Sequence, residues 1–146
     1  MSNPDVHGPI DTLVIEFPGT ATGEGTAQTL VDLVEQGTVR LYDLMVVRKD
    51  TDGTCVEVEL ATVPDDQLGA FRAFAGARSG LLGTEDVALT GEVLDPGALG
   101  VVVVYENAWA VPFVAAARTE GAEMVGSARL TAQEIMDALD AAEAAD

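Results

Sequence analysis

The sequence predicts an α+β fold built on a ferredoxin-like, split-βαβ sheet. The first observation is an internal repeat, because the strand–helix–strand pattern of residues 11–49 returns over residues 98–130. The second is an added strand over residues 55–60, which follows the first unit through an Asp-Gly turn. The third is composition, since 146 residues, 48% of them hydrophobic, suit one domain with a packed core. We therefore expect two pseudo-repeated βαβ units, an extra hairpin strand and additional helices, mainly on one face of the sheet.

The first βαβ unit follows residues 1–10, which we expect to form a flexible N-terminal lead-in to a single domain over 11–146. A short apolar run over 11–17 predicts a strand that ends at Pro18. The helix expected over 26–36 has an apolar stripe on one side and acidic residues on the other. These local signals define the first strand of the unit and its helix.

The second strand of this unit is expected over 38–48, directly after Gly37, which suits the left-handed position that ends a helix. The alternation of apolar and polar side chains slips at Asp43, and a β-bulge there would explain the slip. An Asp-Gly pair at 52–53 favours a tight hairpin. Alternating apolar and acidic residues over 55–60 then predict the added strand.

Two central helices are expected over 64–95, with a Gly-rich hinge at 76–83 between them. The second βαβ unit, over 98–130, opens with a run of valines, which favours a buried strand because β-branched residues prefer extended backbone. A capping-box pattern then predicts a C-terminal helix over 131–144. These segments complete the expected domain.

The charge of the chain limits the partners that it can have. Its 25 acidic and 7 basic residues give a net charge of −18, which repels phosphate backbones and anionic lipid surfaces, so we expect no nucleic-acid partner. The same charge suits solubility or a basic protein partner. The apolar stretch 98–117 is long enough for a membrane span, but Glu106, Asn107 and Pro112 interrupt it, so no span is expected. A start without a signal-like pattern and a single cysteine favour the cytoplasm.

No motif in the sequence predicts a catalytic centre, a metal site or a bound cofactor. The string at 50–54 resembles the start of an EF-hand loop, but it lacks the glycine and the glutamate required at the sixth and twelfth positions. The loop at 18–26 lies between a strand and a helix, yet it has neither a Walker lysine nor the GxGxxG spacing. His7 is the single histidine and falls in the expected lead-in, where nothing would position it for catalysis.

Two carboxylates, Glu16 and Glu106, are candidates for acid–base chemistry because each ends the first strand of a βαβ unit. The central strands of a split-βαβ sheet run antiparallel, so these strand ends should lie at opposite edges and should not form a dyad. The simpler interpretation places each carboxylate at the rim of the sheet, solvated or paired with a cation such as Arg48. An enzyme built on this chain would use one of these two groups.

Aromatic side chains are the remaining candidates for an interaction site. Asn107 is a plausible N-cap for the helix of the second unit, and Trp109 follows it as a core residue or, less often, as the anchor of a subunit contact. Phe71 and Phe74 lie in the first central helix. Together with Trp109 they could line a pocket between the sheet and the central helices.

The chain resembles an uncharacterised family of bacterial proteins in three segments, 44–60, 85–109 and 121–139. The shared features are a strand that ends in Val-Arg-Lys-Asp, an Asp-Gly turn, a helix that ends in Leu-Asp-Pro-Gly, and a strand that closes on Glu-Asn before a Trp. Related members, often described as membrane or general-stress proteins, carry a long Gly-rich apolar insertion where this chain has only the hinge at 76–83. The resemblance covers nearly all of 8–140, and because its motifs are structural it implies the two-unit fold and no catalytic residue.

These observations support three functions in descending order. The first is a non-enzymatic, self-associating cytoplasmic protein, a homo-oligomer linked to stress or to a larger assembly, because an exposed sheet face or edge has to be covered. Its contacts are expected at the hairpin 46–60, around Trp109 and along 131–143. The alternative is a small-ligand binding or regulatory module. The least supported is an enzyme that uses a strand-end carboxylate.

Overall fold

An antiparallel β-sheet forms the centre of the computed structural model, which describes residues 6–126 and 132–145. The strands and α-helices follow one another as β1 (Ile10–Phe17), α1 (Glu24–Glu35), β2 (Arg40–Lys49), β3 (Cys55–Val58), α2 (Thr84–Val93), β4 (Leu99–Glu106), α3 (Val111–Thr119) and α4 (Ala132–Ala144). Short 3₁₀ helices lie at Leu60–Thr62, Gly69–Ala77 and Ala108–Ala110. Within the described ranges, no helix is long and apolar enough to cross a bilayer.

The described strands form a four-stranded sheet in the order β1–β4–β2–β3, and each neighbouring pair is antiparallel. The parallel strands β1 and β2, joined through α1, are separated by β4. Likewise β3 and β4, joined through α2, are separated by β2. The mixed α/β class is therefore confirmed, and these two split units are compatible with a ferredoxin-like arrangement.

The second unit differs from the expected one over 98–130. β4 closes the unit that begins at β3, and no strand follows α3 over 122–126, while 127–130 fall outside the described residues. β4 also lies between β1 and β2, so that β1 is an edge strand and not a central one. The four consecutive valines of β4 at 101–104 are all buried. Only a strand that is covered on both faces can bury consecutive residues, which is the reason why β4 lies inside the sheet.

Helices cover both faces of the sheet, whereas the sequence suggested mainly one. Helix α1 and the 3₁₀ helix Gly69–Ala77 pack on one face, where the core includes Leu44 and Val103. Helix α2 packs on the other face, where the core includes Met45 and Val102. Consecutive apolar residues in β2 and β4 point to opposite faces, so each face needs its own cover.

Residues 78–82, the crossing segment, take the chain from the first face to the second along the edge of β2. Asp43 is fully buried beneath it. The carboxylate accepts hydrogen bonds from the backbone N–H of Ser79 at 2.9 Å and of Leu82 at 2.7 Å, and from Arg78 Nη1 at 2.7 Å. The register of β2 against β4 shifts between Leu41 and Asp43, which confirms the bulge predicted there.

Residues 6–9 are packed against the sheet, so the expected flexible lead-in is wrong for them; residues 1–5 lie outside the described ranges. Val6 is buried, and the N–H of Gly8 donates to Glu106 Oε2 at 2.8 Å. The N–H of Asn107 donates to the carbonyl of Pro9 at 2.8 Å. The segment is held because it supplies partners to buried polar groups at the end of β4.

The remaining elements differ from expectation mainly at their ends. The hairpin strand stops at Val58, two residues before the predicted end. The first central helix is a 3₁₀ helix over Gly69–Ala77, and the second, α2, begins at Thr84 after the Gly-rich hinge, as predicted. The C-terminal helix covers Ala132–Ala144, and Thr131 of the predicted capping box lies outside the described residues.

Candidate functional site

An apolar groove of about 770 Å³ lies between α1 and the face of the sheet formed by β1 and β4. Its floor and walls are mainly aliphatic and aromatic side chains, with a few hydroxyl groups and one amide. The lining residues from the sheet are Leu13, Ile15, Val101, Val103 and Tyr105, and those from α1 are Gly25, Thr26, Thr29, Leu30 and Leu33; Thr38, Val39, Phe71, Asn107 and Trp109 complete the groove. A volume and lining of this kind suit a small apolar ligand or an inserted side chain.

The groove exists because α1 does not extend over the edge strand. Ala27 of α1 is buried and Leu30 and Val31 pack beside it, in a core that reaches Phe71 and β2. Helix α1 thus covers the middle of the sheet and leaves the groove face of β1 uncovered. Ile15 on β1 is consequently about one-third exposed although it belongs to the apolar face.

The two ends of the groove are marked by aromatic side chains. Phe71 lies at the end near Phe17, and the two ring centroids are 6.2 Å apart. Trp109 lies at the other end, where its backbone N–H donates to the carbonyl of Thr38 and its indole Nε1 donates to Asn107 Oδ1 at 3.2 Å. Trp109 is 64% exposed, so the expectation that it is a core residue is wrong.

The structure brings together three of the six predicted site residues: Phe71, Asn107 and Trp109 line the same groove. Phe74 is a buried neighbour of Phe71 and does not line it. Asn107 does not cap a helix through its side chain; instead its Nδ2 donates to the Pro9 carbonyl and to an Asp11 carboxylate oxygen, both at 2.9 Å. Its role is to fix the start of β1 to the end of β4.

Glu106 is buried at the end of β4, so of the two alternatives that the sequence left open, a solvated carboxylate or one paired with a cation, only the second fits it. Its Oε1 accepts a hydrogen bond from the Tyr42 hydroxyl at 2.8 Å and lies 3.8 Å from Arg40 Nη1, while Oε2 accepts the Gly8 N–H. Burial by itself would raise the pKa of Glu106, but the Gly8 and Tyr42 hydrogen bonds and the nearby Arg40 charge outweigh it and lower the pKa. The carboxylate is therefore ionised near neutral pH, with both oxygens engaged.

Glu16 lies at the other end of the β1–β4 pair. It is opposite Gly100, whereas Glu106 is opposite Ile10, so the prediction that the two carboxylates do not meet is confirmed. Glu16 is exposed, and its Oε2 accepts the N–H of Asp95 at 2.7 Å. Arg48, the suggested cation partner, instead pairs with Asp50 at 2.9 Å.

Sequence reasoning missed a second polar cluster, which joins Asp43, Arg78 and Glu57. Arg78 donates from Nε to Glu57 Oε2 at 2.8 Å and from Nη1 to Asp43. Burial would raise the pKa of Asp43, but the N–H groups of Leu82 and Ser79 and the Arg78 charge hold it below its ordinary value. The slip of alternation at Asp43 was the signal available in the sequence. Over the described ranges, no group of three or more His, Cys, Asp or Glu side chains could hold a metal ion.

Helices α3 and α4 present large apolar side chains to solvent. No residue of α3 is buried, and Phe113 is 79% exposed. No residue of α4 is buried either, and Ile135, Met136 and Leu139 are exposed on it. Because Leu139 follows Met136 by three residues and Ile135 by four, these three side chains share one side of the helix.

Comparison with known proteins identifies one family. A family model described as "Family of unknown function (DUF6325)" matches residues 6–145, which is nearly the whole chain. No curated protein and no solved structure matches the chain.

Proposed function

The chain belongs to the family of unknown function DUF6325, and from that premise we propose that it is a non-enzymatic, self-associating cytoplasmic protein. The observation that carries this proposal is the set of large apolar side chains left exposed on β1, α3 and α4. The nine residues of α3 and the thirteen of α4 are too few for stable isolated helices in water. Helices of this kind gain most of their stability when an apolar face is covered, and association would cover it.

The charge distribution favours contacts through these apolar surfaces. A net charge of −18 makes two copies repel each other, so charged surfaces would not hold them together. On α4 the acidic residues Asp137 and Asp140 are exposed, and neither is three or four residues away from Ile135 or Leu139, so both lie off the side that carries these two residues. The apolar side would then face the partner while the carboxylates stay in water.

Three further parts of the proposal have separate support. Each candidate catalytic carboxylate already has a structural partner, Gly8 and Tyr42 for Glu106 and Asp95 for Glu16, which favours a non-enzymatic role. The single cysteine, Cys55, has no second cysteine to pair with, which is compatible with the reducing cytoplasm. A role in stress or in a larger assembly rests on the family resemblance of the sequence.

Light scattering over a range of protein concentrations tests self-association. We expect a mass that is a multiple of the 15.1 kDa chain mass and that falls on dilution. The double variant I135E/L139E should weaken association roughly tenfold or more, because it places carboxylates on the apolar side of α4. The matched control A141E/A144E adds the same charge to the opposite side of the same helix and should leave the mass unchanged. A wild-type chain that stays at the monomer mass throughout contradicts the proposal.

The groove supports a second candidate function, the binding of a small neutral apolar ligand. Its lining resembles that of small-molecule sites, with aliphatic walls, aromatic ends and few polar groups. The neutral probe N-phenyl-1-naphthylamine should bind there and take up energy from Trp109, the only tryptophan. The variant L33E, which changes a lining residue, should abolish binding, whereas V34E on the adjacent position outside the lining should not. Equal binding by both variants contradicts this function.

A further inference from the structure

We propose that β1 pairs with β1 of a second copy, antiparallel, about a two-fold axis at Val14, so that the two four-stranded sheets become one. This inference rests on the proposed self-association and specifies its central contact. The axis is perpendicular to the sheet, and the outer backbone groups of each β1 bond to those of the other.

The first argument is the open edge of β1. The strand pairs with β4 through all of Ile10–Phe17 without an irregularity, and no other described strand pairs with its outer side. Long open edges are usually blunted by proline, a bulge or central charges, because they otherwise pair with other chains. β1 contains no proline and no bulge, and its charged residues, Asp11 and Glu16, stand near its two ends.

The second argument is the contrast with the opposite edge. β3 has only four residues, and the part of β2 that it leaves uncovered is closed by the crossing segment. There the Ser79 hydroxyl donates to the Tyr42 carbonyl at 2.7 Å, and the Asp43 carboxylate accepts hydrogen bonds from the N–H groups of Ser79 and Leu82. The fold therefore protects one edge of the sheet and leaves the other exposed.

The third argument is the apolar centre of β1. Val14 is 44% exposed on the α2 face, where it lies opposite Val102. Ile15 is 36% exposed on the groove face, opposite Val101. Apolar side chains thus flank the open edge on both faces, and a paired strand would cover them on both.

The symmetry limits the pairing to registers centred on one residue, and the charges allow the register centred on Val14. Rotation about an axis perpendicular to the sheet leaves the α2 faces of the two copies on the same side. Paired residues must therefore point to the same face, which requires that their residue numbers differ by an even number. About Val14, this sets Val14 opposite the partner's Val14 and Leu13 opposite the partner's Ile15. Glu16 then faces the partner's Thr12, a neutral residue. The chain can therefore pair with itself despite its acidity, with its apolar residues at the axis.

The same pairing would complete the groove. Leu13 and Ile15 form its wall on the β1 side, where it opens towards the edge of the sheet. Across the axis the partner's Leu13 and the partner's Ile15 continue that wall, so the two grooves adjoin along the joined strands. An apolar ligand of the second candidate function would then sit beside the contact between copies.

Cross-linking at the axis tests the proposed register. In a Cys55→Ser background, V14C should form a disulfide-linked dimer on mild oxidation, because paired residues across antiparallel strands have Cα atoms roughly 4.5–5.5 Å apart, within disulfide range. L89C in the same background, on the exposed side of α2, is the matched control and should not cross-link at the same protein concentration.

Charge at the axis provides the second test. V14E places two carboxylates opposite each other, and we expect it to lower the light-scattering mass to that of one chain with an unchanged circular dichroism spectrum. L89E adds the same charge elsewhere and should keep the wild-type mass. A wild-type oligomer that persists in V14E, or a V14C chain that does not cross-link, overturns the β1 contact and leaves self-association standing. A monomeric wild-type chain overturns both.

Discussion

Two buried carboxylates, Asp43 and Glu106, fasten irregular segments of the chain to the sheet. Each accepts backbone N–H groups from residues far away in sequence, Ser79 and Leu82 in one case and Gly8 in the other. Hydrogen bonds to a buried charge are stronger than those between neutral groups, and losing one partner leaves the other unsatisfied. The two acids therefore position the crossing segment and residues 6–9.

The variant Glu106→Gln should lose stability at neutral pH and less at acidic pH. The folded pKa of Glu106 is lowered, by hydrogen bonds and charges that outweigh its burial, so the unfolded chain binds the proton more readily. The ionised Glu106 carboxylate contributes about 2 kcal/mol to the free energy of unfolding. This contribution is complete above the unfolded pKa of about 4.3 and disappears as pH falls through the folded pKa. Urea unfolding of wild type and variant at about pH 7 and at about pH 3 measures the difference.

The control for this prediction is Glu35→Gln on the exposed end of α1, which should change the free energy of unfolding by less than about 0.5 kcal/mol at either pH. A gap between wild type and Glu106→Gln that stays constant between the two pH values would show that ionisation of Glu106 does not contribute.

At the scale of elements, small residues set the distance between α2 and the sheet. Gly91 on α2 lies against the Cys55 side chain of β3, where a Cβ would overlap the sulfur. Gly100 on β4 meets Leu94 and Thr90, the residues at the end of the same helix. Lys49 Nζ donates to the carbonyls of Gly91 and Leu94, at 2.8 and 3.0 Å, and so joins this helix end to β2. The helix is held close by packing and by these two hydrogen bonds.

Gly91→Ala should therefore destabilise the protein by about 2 kcal/mol, because the added methyl group displaces α2 from β3. Gly25→Ala on α1, where an added Cβ meets nothing within 4 Å, is the matched control and should stabilise by about 0.5 kcal/mol through helix propensity. Urea unfolding measures both, and combining Gly91→Ala with Cys55→Ala should recover part of the loss. Equal effects of the two glycine substitutions would contradict close packing at Gly91.

Elements with local signals could be predicted from the sequence. The valine run of β4, the start of α2 at Thr84 and the bulge near Asp43 all depend on residues within a few positions. Strand order depends on residues far apart, so the placement of β4 between β1 and β2 could not be predicted in this way. The same holds for the site: Trp109 stood out as an aromatic residue, but its exposure depends on where α1 and β1 end in space.

At the scale of the whole molecule, repulsion between like charges would oppose the apolar contacts of the proposed assembly. Each copy carries a net charge of −18, so an assembly concentrates negative charge in a small volume. In the proposed assembly, the exposed side chains Phe113 and Val14 would supply the opposing attraction. The balance between the two should depend on ionic strength.

Added salt should strengthen self-association. Between about 0.1 M and about 1 M NaCl the screening length falls from roughly 10 Å to roughly 3 Å, which removes most of the repulsion between copies. We expect the dissociation constant, measured by sedimentation equilibrium, to fall on the order of fivefold over this range. The control V14E should remain weaker than wild type at every salt concentration. Dissociation by salt would instead indicate that ion pairs hold the copies together.

The unequal edges of the sheet limit how large such an assembly can become. β1 offers a long open edge, while the other edge has the four residues of β3 and the crossing segment anchored by Asp43. Two copies joined through β1 would present only their protected edges outward, so strand addition would end at the pair. Polymerisation into fibres, the usual hazard of an exposed strand edge, would be blocked by the closed symmetry of the contact.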